Sequence, residues 1–198
     1  FDLLYVDPSR RGGDRKKVFS FADSEPDVLK LKESAFSRTQ WLLVKASPML
    51  DIQAGISQLA CVSRVFVVSL RNECKEVLFL AQKGFEGTPE IEAVNLTATA
   101  DERFIFTMTE EQVASPSFSD PLSLLYEPNA SILKAGAFKS LAARFSLKKI
   151  DRNTHLYTSD TLVETFPGKI FRIEAFVKPD KSELKGFFPD GKANITTR

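Results

Sequence analysis

Short apolar runs alternate with amphipathic stretches over the first part of the chain. Nearly continuous apolar segments at residues 2–6, 41–45 and 65–70 are typical of strands buried on both faces of a parallel sheet. Between them, a helix is predicted over residues 24–37, with Ser24 as a possible N-cap and Pro26 in its first turn. Residues 51–60 carry apolar side chains at helical spacing. The pattern therefore predicts strands and helices in alternation, as in an α/β fold.

A polar turn after the third strand reverses the direction of the chain. Residues 71–74 form this turn, and residues 76–81 follow as another strand. The order strand, helix, strand, helix, strand, strand predicts the C-terminal half of an open Rossmann-like sheet that ends in an antiparallel pair. Because the chain opens directly on an apolar strand, we expect residues 1–83 to be an inner part of a sheet whose other half precedes them.

The patterning is less regular after this sheet. Residues 84–90 combine glycine, proline and charged side chains, which indicates a domain boundary. Two β-prone segments follow at 91–97 and 103–109, and residues 115–121 have the composition of a linker. We expect residues 84–120 to form a separate small segment.

The last part of the chain predicts a small α+β domain over residues 121–198. An amphipathic helix is expected at about 130–145. Further elements are predicted as strands at 147–150, 156–158 and 169–177, a short helix at 182–188 and a final strand at 192–197.

Composition and charge exclude several classes of protein. The 198 residues are 43% hydrophobic and 27% charged, which is sufficient for a folded core. A formal net charge of +1 excludes a uniformly basic nucleic-acid coat but allows a local basic patch. No apolar run approaches the roughly 20 residues of a membrane helix, and no secretory signal opens the chain. We expect a cytoplasmic protein without a membrane partner.

The few cysteine and histidine residues limit the chemistry. Cys61 and Cys74 suit neither a disulfide scaffold nor a paired zinc site, so we expect two buried thiols and no metal. His155 is the only histidine, which excludes a site with several histidine ligands. An ordinary, half-exposed histidine is the favoured interpretation of His155.

Two polar loops follow predicted strands at the edge where open α/β sheets bind ligands. The first is Asp7-Pro8-Ser9-Arg10-Arg11-Gly12, and the second is Lys45-Ala46-Ser47-Pro48. The Asp-Pro pair, with the helix, strand, helix and hairpin that follow it, resembles the class I S-adenosylmethionine-dependent methyltransferases. Their fourth strand commonly ends in an Asp/Asn-Pro-Pro motif, and their last two strands form an antiparallel hairpin.

The resemblance implies roles for these loop residues. Asp7, Pro8, Ser9 and Arg10 would form the substrate side of the active site and orient the methyl acceptor, since positioning supplies much of the rate. Substrate-binding residues beside them would be Arg11, Lys45 and Ser47. The alternative is that Asp7-Pro8 is only a turn that ends a strand.

The cofactor that the resemblance implies is S-adenosylmethionine. The glycine-rich turn and the acidic residue that holds the cofactor ribose would lie in the preceding half, so the cofactor-binding residues are unknown. We therefore expect this chain alone to bind the cofactor weakly or not at all, and to be inactive.

The same loops leave the methyl acceptor open. The spacing Asp-Pro-x-Arg-x-Gly is similar to that of the RNA uridine-5 methyltransferases, which need a cysteine just past the next strand. The segment Lys45-Ala46-Ser47-Pro48 has no cysteine, so we do not expect a thiol-dependent mechanism. Ser9 and Arg10 also replace the Pro-Pro-aromatic signature of many amino-group methyltransferases.

The second half of the chain carries a further resemblance. Residues 125–136 (LYEPNASILKAG), 155–160 (HLYTSD) and 171–173 (FRI) resemble the THUMP-like domain attached to a bacterial methyltransferase family. A small ferredoxin-like segment also occurs in that family, and we assign it, or a linker, to residues 84–120. THUMP domains are associated with RNA, so the resemblance implies an RNA substrate presented by accessory domains. The alternative function is a non-catalytic scaffold that binds RNA or protein.

Two basic clusters are candidates for contacts with phosphate. For the second cluster, a solvated charged face is the favoured interpretation. The first cluster comprises Arg10, Arg11, Arg15, Lys16 and Lys17, and the second comprises Lys134, Lys139, Arg144, Lys148 and Lys149.

Overall fold

The computed structural model has a mixed α/β fold and divides into two compact units. The first unit comprises residues 1–114 and 129–140, and the second comprises residues 115–128 and 141–198. Within the described part of the chain, no helix has the length and apolar character needed to cross a membrane. The structure describes residues 1–10, 20–178, 180–188 and 190–192.

The elements up to residue 114 follow the predicted alternation of strands and helices. In chain order they are β1 (Leu3–Val6), β2 (Ser9–Arg10), a 3-10 helix (Phe21–Asp23), β3 (Ser24–Glu25), α1 (Val28–Phe36), β4 (Trp41–Ala46), α2 (Ile52–Leu59), β5 (Val62–Leu70), β6 (Glu73–Gln82), β7 (Glu90–Leu96), β8 (Glu102–Thr107) and α3 (Met108–Val113).

The elements after residue 114 are shorter. In chain order they are β9 (Leu124–Pro128), α4 (Ala130–Ala135), α5 (Lys139–Arg144), β10 (Lys148–Lys149), β11 (Tyr157–Ser159), β12 (Gly168–Arg172) and α6 (Lys181–Phe187).

A mixed six-stranded sheet forms the centre of the first unit, with the strand order β1-β4-β6-β5-β7-β8. β1 pairs with β4 and β5 pairs with β7 in parallel, whereas the other neighbours are antiparallel. The predicted antiparallel pair is therefore confirmed as the β5–β6 hairpin, and its second strand inserts between β4 and β5. The two turn residues, Arg71 and Asn72, both have positive φ, as two-residue hairpin turns commonly require.

Helices α1, α2 and α4 pack against this sheet, and alternate strand residues are buried beneath them. On β4, Leu42 and Val44 are completely buried while their neighbours are half-buried, as the period of a strand requires. Gly55 allows α2 to lie close to β6, because a Cβ atom at this position would be only 2.5 Å from the ring of Phe79.

The first strand corrects the prediction that it is buried on both faces. β1 lies at the edge of the sheet formed by the described residues, and Leu3 and Tyr5 are 43% and 52% exposed. Only Val6 is buried. β1 pairs with β4 alone among the described strands, and only its face with Leu4 and Val6 is shielded from solvent.

The sheet also continues past the predicted boundary near residue 83. β7 pairs with β5 over seven residues, and the five residues from Ile91 to Asn95 are buried on both faces of the sheet. Residues 84–120 thus contribute two strands to the first sheet instead of forming a separate segment. The glycine- and proline-containing stretch before β7 is only a connection, in which Gly84 adopts a positive φ.

The predicted helix over 130–145 is two helices. Asn129 caps the N-terminus of α4 by accepting a hydrogen bond from the N–H of Ile132. Gly136, at a φ of 80°, ends α4 in the left-handed conformation, which glycine adopts without steric cost. The predicted N-cap of the first helix is also corrected, because Asp27 and not Ser24 caps α1.

The second unit contains an antiparallel sheet with the strand order β10-β11-β9-β12. The ring of Phe166 packs against those of Tyr126 and Tyr157, both completely buried. Gly168 lies so close to β9 that a Cβ atom would be 2.2 Å from the carbonyl oxygen of Glu127. The predicted helix at 182–188 is confirmed as α6, while the predicted final strand lies almost entirely outside the described residues.

Candidate functional site

A cavity of about 300 Å³ lies in the first unit where β1 and β4 end. Because these strands are parallel, their carboxyl ends reach the same edge of the sheet. The two predicted site loops follow the strands and both line the cavity. The sequence-predicted residues at its wall are Asp7, Pro8, Ser9, Lys45 and Ser47.

An ion pair joins the two loops at this wall. Val6 pairs with Val44, which makes Asp7 and Lys45 the next neighbours along the two strands. The Lys45 Nζ donates a hydrogen bond of 2.9 Å to Asp7 Oδ2, and Glu76 Oε1 of β6 lies 3.6 Å from the same nitrogen. The hydrogen bond with Asp7 raises the pKa of Lys45 above its ordinary value, and the negative charge of Glu76 adds to this effect. The lysine therefore carries its charge throughout the neutral range.

The charges of this group indicate what the wall can bind. Two carboxylates and one ammonium group leave a net charge of −1, which suits a cationic group or a hydrogen-bond donor. All three side chains are partly exposed, so solvent weakens the attraction between them and leaves them accessible.

The loop after β1 is held by a short antiparallel pairing. Ser9 pairs with Glu25 and Arg10 pairs with Ser24 in the β2–β3 ladder. The Ser9 hydroxyl also donates a hydrogen bond of 3.1 Å to the carbonyl oxygen of Glu25. Backbone pairing therefore fixes the direction of the loop beyond Pro8. Arg11 lies outside the described residues.

Ser47 shapes the second loop. Its hydroxyl accepts a hydrogen bond from the N–H of Met49, and its carbonyl oxygen accepts one from the N–H of Leu50. This turn leads directly to Asp51, which caps α2 by accepting a hydrogen bond of 2.7 Å from Ala54. The Ser47 hydroxyl oxygen therefore accepts a hydrogen bond within the turn, and Ser47 also lines the cavity.

Sequence reasoning missed several residues at the cavity wall. Glu76 comes from β6, and its place beside Lys45 depends on the insertion of β6 between β4 and β5. Ser20 and Phe21 approach from the 3-10 helix, where the Ser20 hydroxyl and the Phe21 N–H both donate to Gln58 Oε1. No local sequence signal indicates either contact, because both depend on residues far away in the chain.

The cysteines and the histidine are not among the residues that line the cavity. Cys61 and Cys74 are free and half-buried, and burial raises the pKa of both thiols, which disfavours the nucleophilic thiolate. His155 belongs to the second unit, where burial lowers its pKa and the positive charge of Lys149 adds to the effect.

The second basic cluster consists largely of lysines with internal hydrogen bonds. Lys134 Nζ donates to the carbonyl oxygen of Leu50 and Lys139 Nζ to that of Gln112. Lys149 is only 4% exposed, and its Nζ donates to the carbonyl oxygen of Arg152. Burial removes Lys149 from any contact with phosphate, whereas Lys134 and Lys139 stay partly exposed. In the first cluster, Arg11, Arg15, Lys16 and Lys17 lie outside the described residues.

Comparisons with known proteins found a similar solved structure and a matching domain family. The chain is similar to a protein from Porphyromonas gingivalis W83 whose crystal structure is described as that of a putative methyltransferase, with 36% identity and a TM-score of 0.83. The match covers 96% of this chain and 47% of the other, so the chain spans about half the length of that relative. None of the curated proteins matches the chain. A ferredoxin-like domain family matches residues 124–167, which lie beyond the segment predicted to be ferredoxin-like.

Proposed function

We propose that this chain is part of a class I S-adenosylmethionine-dependent methyltransferase that acts on RNA. The observation that carries the proposal is the cavity where β1 and β4 end, with Asp7 and Lys45 paired at its wall. The similarity to a solved structure described as a methyltransferase supports the same reaction class. The β5–β6 hairpin agrees with the hairpin expected from the class I resemblance.

The residues present fit one part of the cofactor. S-adenosylmethionine would supply a methyl group activated by a sulfonium cation. The negative wall formed by Asp7, Lys45 and Glu76 suits a positive charge nearby. Within the described residues, however, no glycine-rich turn joins a strand to a helix, so the residues that hold the nucleoside part are not found there.

The loop residues of this chain would orient the acceptor. Lys45 holds the Asp7 carboxylate at the cavity wall, and Asp7 keeps further lone pairs with which it can accept a hydrogen bond from the substrate. Pro8 restricts the backbone after Asp7, and the β2–β3 pairing fixes Ser9 and Arg10 beyond it. Arg10 and Arg11 would bind phosphate as part of the first basic cluster.

Support for an RNA substrate comes from two parts of the sequence. The first basic cluster begins three positions after Asp7 in the sequence, and its positive charges would attract a polyanionic substrate. The segments 125–136, 155–160 and 171–173 carry the resemblance to a THUMP-like domain, and a ferredoxin-like family matches residues 124–167. Such a domain would present RNA to the catalytic sheet.

Substitution of Asp7 tests the catalytic role. In the protein expressed at its full length, Asp7→Asn should lower kcat/KM for methyl transfer about tenfold or more, because a misplaced acceptor reacts slowly. The assay uses S-adenosylmethionine labelled in its methyl group and unmodified transcripts of transfer and ribosomal RNA.

Asp2→Asn is the matched control, because Asp2 is an exposed aspartate at the opposite end of β1. This variant should retain the activity of the unmodified protein. Equal activity of the Asp7 and Asp2 variants would show that methyl transfer does not depend on Asp7.

A further inference from the structure

Glu76 is the second carboxylate beside Lys45 at the cavity wall. It lies near the start of β6, one position before Val77, which pairs with Ala46 at the end of β4. This register places its carboxylate on the same side of the sheet edge as Lys45. The Glu76 side chain is 38% exposed and lines the cavity together with Asp7.

Lys45 stands between two carboxylates at unequal distances. Its Nζ is 2.9 Å from Asp7 Oδ2, a hydrogen bond, and 3.6 Å from Glu76 Oε1, an ion pair beyond hydrogen-bond length. An ammonium group has three N–H donors on a flexible stem, so Lys45 can engage both partners or move toward either one.

We propose that Glu76 is a positioning residue of this site, which shares the Lys45 ammonium group with Asp7 and thereby sets how the Asp7 carboxylate is presented to the substrate. The role rests on the proposed methyl transfer. When a substrate group donates a hydrogen bond to Asp7, Lys45 shifts toward Glu76 and keeps a counter-charge. Without Glu76, Asp7 would be the only anionic partner of the ammonium group among the residues that the structure describes at this wall, and Lys45 would compete with the substrate for it.

The contact between Glu76 and Lys45 is tested without any substrate. In the full-length protein, Glu76→Gln should lower the pKa of Lys45, because it removes a negative charge 3.6 Å from Nζ. Side-chain NMR of the lysines measures this pKa, with Lys45→Arg to assign the signal. Glu73→Gln is the matched control on β6, since Glu73 is exposed and paired with Lys75. An unchanged pKa of Lys45 in the Glu76 variant would overturn the proposal.

Methyl transfer to unmodified transfer and ribosomal RNA transcripts tests the role itself. Glu76→Gln should lower kcat/KM for RNA about fivefold. In a Lys45→Met background the same substitution should have no further effect, because Glu76 acts through Lys45. Equal losses in both backgrounds would overturn the positioning role, since they would show that Glu76 acts by another route.

The two proposals fail in different ways. If the unmodified full-length protein transfers no methyl group, the proposed function fails and the role of Glu76 in it fails with it, whatever the pKa measurement shows. If the unmodified protein is active but Glu76→Gln matches the Glu73 control in both pKa and kcat/KM, only the role of Glu76 is overturned.

Discussion

Asp7 and Lys45 are separated by 37 residues in the chain and joined by a hydrogen bond in the structure. The sequence could indicate both, because each follows an apolar segment and parallel strands end at the same edge of a sheet. Glu76 could not be found in this way, since it belongs to a strand that runs in the opposite direction. Its position depends on strand order, which local patterning does not encode.

His155 gives a prediction for the dependence of stability on pH. Burial lowers its pKa in the folded state, so between pH 7 and 5.5 the unfolded chain binds more protons at this residue. The free energy of unfolding should therefore fall as the pH falls through this range. His155→Gln should reduce the loss, and urea unfolding at the two pH values measures it.

This effect can be assigned because His155 is the only histidine of the chain. The same pH dependence in His155→Gln as in the unmodified protein would show that carboxylates, and not the histidine, cause it.

At the scale of elements, periodicity predicted the existence and type of most helices and strands correctly. Periodicity gave the wrong prediction where a single residue ends a helix, or where a strand pairs with a distant segment of the chain. Gly136 divides a stretch with continuous helical periodicity, because its left-handed conformation ends α4. β7 joins the first sheet because it matches β5 in register, whereas the glycine and proline before it suggested a new domain.

Asn129 joins α4 to the sheet of the first unit and gives a prediction at this scale. Its side-chain oxygen accepts hydrogen bonds from the Ile132 N–H and the Ser131 hydroxyl, and its amide nitrogen donates to Glu102. Asn129 is 2% exposed, so its replacement by alanine would leave Ile132, Ser131 and Glu102 without this hydrogen-bond partner in a buried environment. Asn129→Ala should lower the free energy of unfolding by about 2 kcal/mol, measured by urea denaturation.

Asn153→Ala is the control, because Asn153 is exposed in a turn. It should change the free energy of unfolding by less than about 0.5 kcal/mol. If Asn129→Ala is equally mild, the buried polar contacts of α4 do not stabilise the unit.

At the scale of the whole molecule, the chain spans about half the length of its solved relative. The proposed methyltransferase class has support in the sequence because an Asp-Pro loop and the order of elements are local features. The nucleoside-binding residues could not be named, because no segment of this chain has their pattern.

Charge reversal at Arg10 and Arg11 tests the RNA substrate. If each arginine contacts one phosphate, Arg10→Glu with Arg11→Glu should weaken binding of the full-length protein to RNA transcripts. The slope of the logarithm of affinity against the logarithm of salt concentration should become shallower by about 1.4. Arg38→Glu with Lys83→Glu is the control, since both residues are exposed in the same unit. An unchanged slope in the Arg10 and Arg11 variant would contradict these contacts.

The central claim is that the edge with Asp7 and Lys45 belongs to a site for S-adenosylmethionine. Isothermal titration calorimetry of S-adenosylmethionine into the folded, full-length protein tests it most directly. The account predicts saturable binding of one molecule per chain, and much weaker binding or none to residues 1–198 alone. The absence of binding to the folded full-length protein would contradict the account.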